Sequence, residues 1–222
     1  MRDTVPDLPK PMAPVNGRPF LEYQIDYWIA QGVSRFILST GYRSDVISGH
    51  FGNSFHGASI EYAVEQSPLG TGGGLLLAAA GLRSDAPFLL LNGDTFFEVA
   101  LADLQTFHAQ RRAAWTFSLF RAQEAGRYMG LEVDAAGRIL ALRSGRGEVG
   151  ALANGGVYWV EPMPLKNAGY RPGEAVSLED ELLPAFEAAG DQLFGMTSNG
   201  RFIDIGVPAD YFRAADILTL QN

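Results

Sequence analysis

Lys10 stands in "PDLPKPMAP", a single cation among prolines at positions 6, 9, 11 and 14. Proline fixes φ and reduces the freedom lost when the side chain is placed, so the segment can present one positive charge in a set position. "PLGTGGG" puts four glycines into the seven positions from Pro68 to Gly74, between an expected strand and an expected helix. Glycine lets backbone approach a ligand closely and leaves amide N–H groups open at a helix start. The same residues serve equally as a plain loop with Thr71 as N-cap. Their spacing is neither the P-loop nor the dinucleotide fingerprint.

Three further stretches carry polar groups where chemistry can happen. Asp94 ends the apolar run of "LLLNGDTFF", and a carboxylate at the carboxyl end of a parallel strand lies where ligands bind in open α/β sheets. It suits Mg²⁺, which takes few protein oxygens and fills its shell with water and phosphate. Beside Gly93 it is also a natural Asx-turn residue. Asp204, between two isoleucines in "RFIDIGVP", must face water, a partner or a metal, and simple strand alternation already accounts for the first. Asn154 in "ANGGVYWV" both donates and accepts, as sugar hydroxyls require, and is equally at home in a turn. His50, His56 and His108 show no metal-ligand spacing, and no nucleophile elbow is present.

The elements that must position these residues follow from periodicity. Helical spacing predicts a helix in "RPFLEYQIDYWIAQGV" closing on Gly32, then a strand at "RFILSTG", a helix at "RSDVISGHFG" and a strand at "ASIEYAVE". Next come a helix after the glycines, the strand "PFLLLNGDTFF", the helix "ALADLQTFHAQRRA" and the strand "AWTFSLFRA". Such alternation predicts an α/β fold, Rossmann-like, with a mixed, mostly parallel sheet and helices on both faces. Later the rhythm changes. A hairpin around "DAAGR", a strand at "NGGVYWVEP" and a helix from Ser177 through "SLEDELLPAFEAAG" are expected. A second hairpin turning at Asn199-Gly200 and a closing helix in "PADYFRAADILTL" complete the reading. No linker or repeat interrupts residues 1–222, which are expected to form a single domain.

Bulk properties narrow the function. Hydrophobic residues make up 47% and charged residues 19%, an ordinary globular balance. A formal charge of −8 argues against a general nucleic-acid binder, while leaving room for a locally positive pocket. Cysteine is absent, which removes disulfides, thiolate catalysis and Cys-based metal sites. Apolar runs are too short to span a bilayer and no secretory leader is visible, so no membrane partner and a cytoplasmic location are expected. Nothing in this composition opposes a homo-oligomer.

In their order, "PDLPKPMAPVNGRPFLEY", "PLGTGGGLLLA", "LLLNGDTFF", "NGGVYWV" and "FIDIGVPADYFRA" resemble the bacterial sugar-phosphate nucleotidyltransferases over nearly the whole chain. The branch most resembled is that of the D-glycero-D-manno-heptose 1-phosphate guanylyltransferases. The resemblance implies the nucleotide-diphospho-sugar transferase type of fold. It implies transfer of a nucleotidyl group, with GTP favoured, to a sugar 1-phosphate, with the heptose favoured, and Mg²⁺ as cofactor. The partners are then a nucleoside triphosphate and a sugar 1-phosphate. Mannose-, glucose- and N-acetylmuramate-1-phosphate remain alternatives, as does a non-catalytic nucleotide- or sugar-binding protein of the same fold.

By the same resemblance Lys10 contacts phosphates, Gly70, Thr71 and Gly72 line the base and sugar, and Asp94 and Asp204 hold Mg²⁺. Asn92, Gly93, Asn154 and Gly155 bind substrate, and Glu179 approaches the sugar. Family members carry a strand and a "GGxGTRL" loop directly upstream of the P-K-P segment; here these would fall before Met1, which implies either a start at an internal methionine, the favoured expectation, or a truncated form. Many relatives also carry Glu-Lys-Pro where this chain reads "RSGRGEVG", which leaves Arg143 or Arg146 to take the lysine's part.

Overall fold

The computed structural model describes residues 7–126, 128, 130–143, 147–206 and 208–218. A 3-10 turn at Lys10–Met12 precedes short strands β1 (Pro14–Val15) and β2 (Arg18–Pro19) and helix α1 (Phe20–Ile29). Strand β3 (Arg35–Thr40), helix α2 (Ser44–Phe51), strands β4 (Ser54–Phe55) and β5 (Ala58–Val64) and helix α3 (Gly70–Ala79) follow. Then come β6 (Phe88–Leu91), β7 (Thr95–Phe97), α4 (Leu101–Arg111), β8 (Trp115–Arg121), β9 (Gly130–Val133) and β10 (Ile139–Arg143). After β11 (Leu152–Val160) and α5 (Pro162–Asn167), a wide π turn at Leu178–Leu182 leads into α6 (Leu183–Ala189). Strands β12 (Leu193–Thr197) and β13 (Phe202–Asp204) and helix α7 (Pro208–Leu218) complete the order.

Packing divides the chain into two compact units, one from residues 1–84, 169–182 and 203–222, the other from 85–168 and 183–202. In the first unit, Phe20, Leu21, Ile25 and Trp28 recur along α1 at the spacing of one helical face and are all buried. Glu22 and Asp26 stay on the outer side, where Arg18 reaches them at 2.9 and 2.6 Å. Gly32, at φ +93°, closes this segment as expected. Strands β3 and β5 run parallel from Arg35 opposite Ser59 to Thr40 opposite Val64, which makes β3–α2–β5 a βαβ unit. The short β4 lies antiparallel against β5.

In the second unit the sheet order is β10-β9-β11-β8-β12, with β6 also paired to β11. Trp115, Phe117 and Tyr158 from neighbouring strands and Phe186 from α6 form its aromatic core, with ring centroids 5.2–5.8 Å apart in the pairs Phe117–Tyr158, Trp115–Tyr158 and Trp115–Phe186. The "DAAGR" hairpin forms as expected. Asp134 accepts the N–H groups of Ala136 and Arg138 on its carboxylate, at 2.8 and 2.9 Å, and that of Gly137 on its carbonyl, at 3.0 Å. Its tip reaches β12, where Gly195 N–H donates to Gly137 O at 2.7 Å and Arg138 pairs with Phe194.

The mixed α/β fold is present, with a smaller parallel share than alternation suggested. Only β3–β5 and β8–β12 run parallel in the two sheets just described, because β11 collects β6, β8 and β9 as antiparallel neighbours. The run "LLLNGDTFF" is two strands, since residues 92–94 turn between β6 and β7. The second expected hairpin does not form. β12 is taken by β8, and the chain beyond it crosses to Glu98, whose N–H bonds Arg201 O at 3.0 Å. Helix 177–190 opens on a π turn, in which Leu182 N–H reaches back five residues to Ser177 O at 3.1 Å.

Candidate functional site

In the first unit, Lys10 is exposed on a 3-10 turn whose own bonds, Met12 N–H to Pro9 O and Ala13 N–H to Lys10 O, measure 2.8 and 3.0 Å. Burial of Met12 and Ala13 roots the turn. Two side chains then brace its flanks: Arg43 Nη1 donates to Asp7 O at 3.2 Å, and the Tyr211 hydroxyl to Pro14 O at 2.5 Å. Arg43 adopts φ +53°, a left-handed conformation that β-carbon sterics make uncommon outside glycine. No spacing in the sequence announces this strut.

The glycine run is helical, contrary to the expected loop. α3 begins at Gly70 with Leu69 in the N-cap position, so Thr71 does not cap it. Packing explains why so weak a helix former is used here. A Cβ on Gly72 would lie 2.8 Å from Leu182 Cδ1 and 2.9 Å from Val176 O; on Gly73 it would lie 2.4 Å from Glu174 O. The segment 174–178 can therefore lie directly on the helix, and Val176 is held by backbone bonds at both ends: its N–H to Leu69 O at 2.9 Å, its carbonyl from Gly73 N–H at 3.0 Å. Gly70 and Thr71 remain exposed and Gly72 is buried. An open cleft of about 330 Å³ is lined by Leu69, Gly70, Thr71, Val176, Ser177 and Glu181 together with Ala175.

Thr71 and Glu179, 108 residues apart, meet in this unit: Thr71 Oγ1 donates to Glu179 Oε2 at 2.9 Å and accepts Leu178 N–H at 3.1 Å. Ser177 caps the turn that carries Glu179, its hydroxyl oxygen accepting Asp180 N–H at 3.0 Å, while Glu181 takes Ser177 N–H at 2.8 Å. Asp204, half-buried at the end of β13, has Oδ1 fixed by Gly206 N–H at 2.7 Å.

The second unit gathers Asn92, Gly93, Asp94, Asn154 and Gly155. Between Asn154 and Tyr158 β11 takes four steps while β8 takes two, from Leu119 to Phe117, so β11 bulges at its two glycines. Asn154 braces the bulge, its Oδ1 accepting Gly156 N–H at 3.1 Å and its Nδ2 donating to the Tyr158 hydroxyl at 2.7 Å. Asn92 N–H donates to Gly156 O at 2.8 Å, which ties the β6–β7 turn bearing Asp94 to that bulge. Gly156 has φ +71°, and a Cβ there would sit 2.4 Å from Thr95 Oγ1 and 2.8 Å from Asn92 Nδ2. Of the glycines in "NGG", this second one carries the strain, and composition alone marks only that a pair is present.

The family profile described as Nucleotidyl transferase matches residues 5–221. The chain belongs to that family. This nucleotidyl transferase is 36% identical over 214 residues to a D-glycero-alpha-D-manno-heptose 1-phosphate guanylyltransferase of Aneurinibacillus thermoaerophilus, covering 96% of this chain and 91% of that one. A protein of the same description from Campylobacter jejuni is 31% identical over 212 residues, with 96% and 91% covered. Among solved structures, HddC from Yersinia pseudotuberculosis superposes with a TM-score of 0.82 at 28% identity, covering 95% of this chain and 90% of that one. HddC has also been solved complexed with GMP-PN.

Charge placement around these groups completes the picture of the transferase. Glu98, at the end of β7, pairs in fork fashion with Arg201, whose Nε lies 2.9 Å from Oε2 and whose Nη2 meets Oε1. The hydrogen bond from Arg201 holds the Glu98 carboxyl below the usual carboxylate range. His108 is buried, its Nδ1 2.8 Å from Thr116 Oγ1 and its Nε2 3.3 Å from Glu161 Oε1, and burial pushes its imidazole pKa down. Among the described residues no group of three or more His, Cys, Asp or Glu is placed to hold a metal ion, and no helix is long and apolar enough to cross a membrane. Arg143 belongs to β10, and Arg146 lies outside the described residues.

Proposed function

We propose that this transferase joins GTP to D-glycero-D-manno-heptose 1-phosphate, releasing pyrophosphate and giving the GDP-sugar. The reading is carried by the 36% identity, across 96% of the chain, to a protein described by that activity. Mannose 1-phosphate is the second reading, because a mannose-1-phosphate guanylyltransferase of Mycobacterium tuberculosis is 35% identical over 214 residues, although the match spans 59% of that protein. Both readings point to a guanine nucleotide, and both belong to the cytoplasm, where such nucleotides are made and used.

The chemistry needs no covalent enzyme intermediate. A phosphate oxygen of the sugar 1-phosphate forms a bond to the α-phosphorus as the bond from that phosphorus to the leaving pyrophosphate breaks. Catalysis is then a matter of positioning and charge. Lys10, fixed on a braced 3-10 turn, would hold a positive charge against the phosphates. Asp94, in the turn after β6, and Asp204, ending β13, are hard oxygen donors of the kind Mg²⁺ takes alongside water and phosphate. When bound, Mg²⁺ would neutralise phosphate charge and hold the α-phosphate in orientation. Gly70 and Gly72, the Glu179 carboxylate held by Thr71, and Asn92, Gly93, Asn154 and Gly155 are the groups we assign to base and sugar.

Pyrophosphate release measured for four nucleoside triphosphates against a panel of sugar 1-phosphates tests the reading. The highest kcat/KM is expected for GTP with the heptose. Release with none of the pairs would sink the assignment, and an Asp94→Asn variant with full Mg²⁺-dependent activity would sink the metal site.

A further inference from the structure

Thr71 is usually the kind of residue expected to touch a ligand: a small hydroxyl, exposed, in a glycine-rich turn. Its hydroxyl is already engaged. The proton goes to Glu179 Oε2 at 2.9 Å, and a lone pair takes Leu178 N–H at 3.1 Å. A threonine hydroxyl has one proton to give, so while it serves Glu179 it cannot also donate to a substrate. Both partners lie on the same wide turn, and a π turn is a geometry that recurs at functional sites.

Backbone bonds from Val176 to Leu69 and Gly73 anchor the chain just ahead of the turn, and further bonds hold the turn within its own sequence. Ser177 and Asp180 bond each other, and Glu181 bonds Ser177 N–H. Thr71 is the side chain that reaches across from α3 to fix where Glu179 points. The glycines on either side make the reach possible: Gly70 and Gly72 let segment 176–178 lie against the helix, with Val176 O only 2.8 and 2.9 Å from their would-be Cβ atoms. Any side chain there would push the turn away and lengthen the Thr71–Glu179 bond.

We infer that Thr71 is a positioning residue: it orients the Glu179 carboxylate toward the hydroxyls of the sugar 1-phosphate, and its hydroxyl is not itself a substrate ligand. This rests on the reading of Glu179 as a sugar contact given above. The consequence is selective. Losing the Thr71 hydroxyl weakens the sugar substrate and leaves the nucleotide alone.

Steady-state kinetics of Thr71→Val, Thr71→Ser, Glu179→Ala and the Thr71→Val/Glu179→Ala double variant decide it. A hydrogen bond to a charged group contributes enough that Thr71→Val should raise KM for the sugar 1-phosphate about tenfold, with KM for GTP unchanged. Thr71→Ser, which keeps the hydroxyl, should return KM to within about twofold of wild type by the same reasoning. In the double variant, Thr71→Val should add nothing to the effect of Glu179→Ala, since it acts through that carboxylate. A rise in KM for GTP, or full additivity in the double variant, overturns the inference. Hydrogen exchange over residues 174–182 supplies a readout independent of activity. Exchange should speed up in Thr71→Val and stay protected in Thr71→Ser; equal protection in both overturns the positioning role. An inactive wild type with the expected exchange pattern would count against the substrate reading and leave the Thr71–Glu179 coupling standing.

Discussion

At Gly72 and Gly73 in α3 the backbone is ordinarily helical and only the absent Cβ matters, whereas at Gly156 in β11 both the space and the backbone conformation exclude a side chain. The first unit uses glycine to let two chain segments touch. The second uses it to bend a strand, and Asn154 and Asn92 then hold the bend from either side. One amino acid thus builds two kinds of local structure, a close-packed helix start and a distorted strand. The difference should show in how each tolerates a single methyl group.

The largest effect is expected for Gly156→Ala. A left-handed φ costs about 1–2 kcal/mol for an alanine, and displacing Thr95 and Asn92 should bring the total to about 3 kcal/mol by denaturant unfolding. Gly73→Ala should be milder. Overpacking against Glu174 O costs about 1–3 kcal/mol, offset by about 1 kcal/mol of better helix propensity. A Gly73→Ala protein more stable than wild type would break the comparison, since it would mean that α3 has room to spare.

The smallest effect concerns charge. The first unit keeps its histidines at the surface, His50 against Glu22 and His56 against Asp26, both at 2.6 Å, where exposed polar contacts contribute little. The second buries His108 and thereby lowers its pKa from the ordinary 6.5. The folded protein then binds that proton less readily than the unfolded chain. Its contribution is fully present above pH 6.5 and declines as pH falls through that value toward the folded pKa. Thermal unfolding from pH 7.5 to 5 should show a shallower acid-side loss in His108→Gln than in wild type. Parallel curves for the two proteins would remove the effect assigned to His108.

Local pattern was enough for α1, for the β3–α2–β5 unit and for the "DAAGR" hairpin, because each is decided by residues a few positions apart. What escaped it was decided at long range. The run through Gly70–Gly74 reads as loop because glycine is a poor helix former; contacts with residues 174–182 override that preference. "QLFGMTSNGRFIDIG" reads as a hairpin because Asn-Gly is a strong turn signal, yet β8 claims the first strand and Glu98 claims Arg201, 103 residues away. The candidate site follows the same division. Lys10, Asp94, Asn154 and Asp204 stand out by type and setting. The bond between Thr71 and Glu179, the strut from Arg43 and the strained Gly156 are relations between distant residues, and no spacing announces them.

The tip of the β9–β10 hairpin has a consequence for life at high concentration. β12 closes one side of its sheet, and an uncovered strand there would offer its amides and carbonyls as a template for other chains. Gly137 O takes Gly195 N–H, and Arg138 pairs with Phe194, in the middle of that edge. The same turn thus works as a guard against self-templated aggregation, and shortening it should show first as turbidity on concentrating the protein.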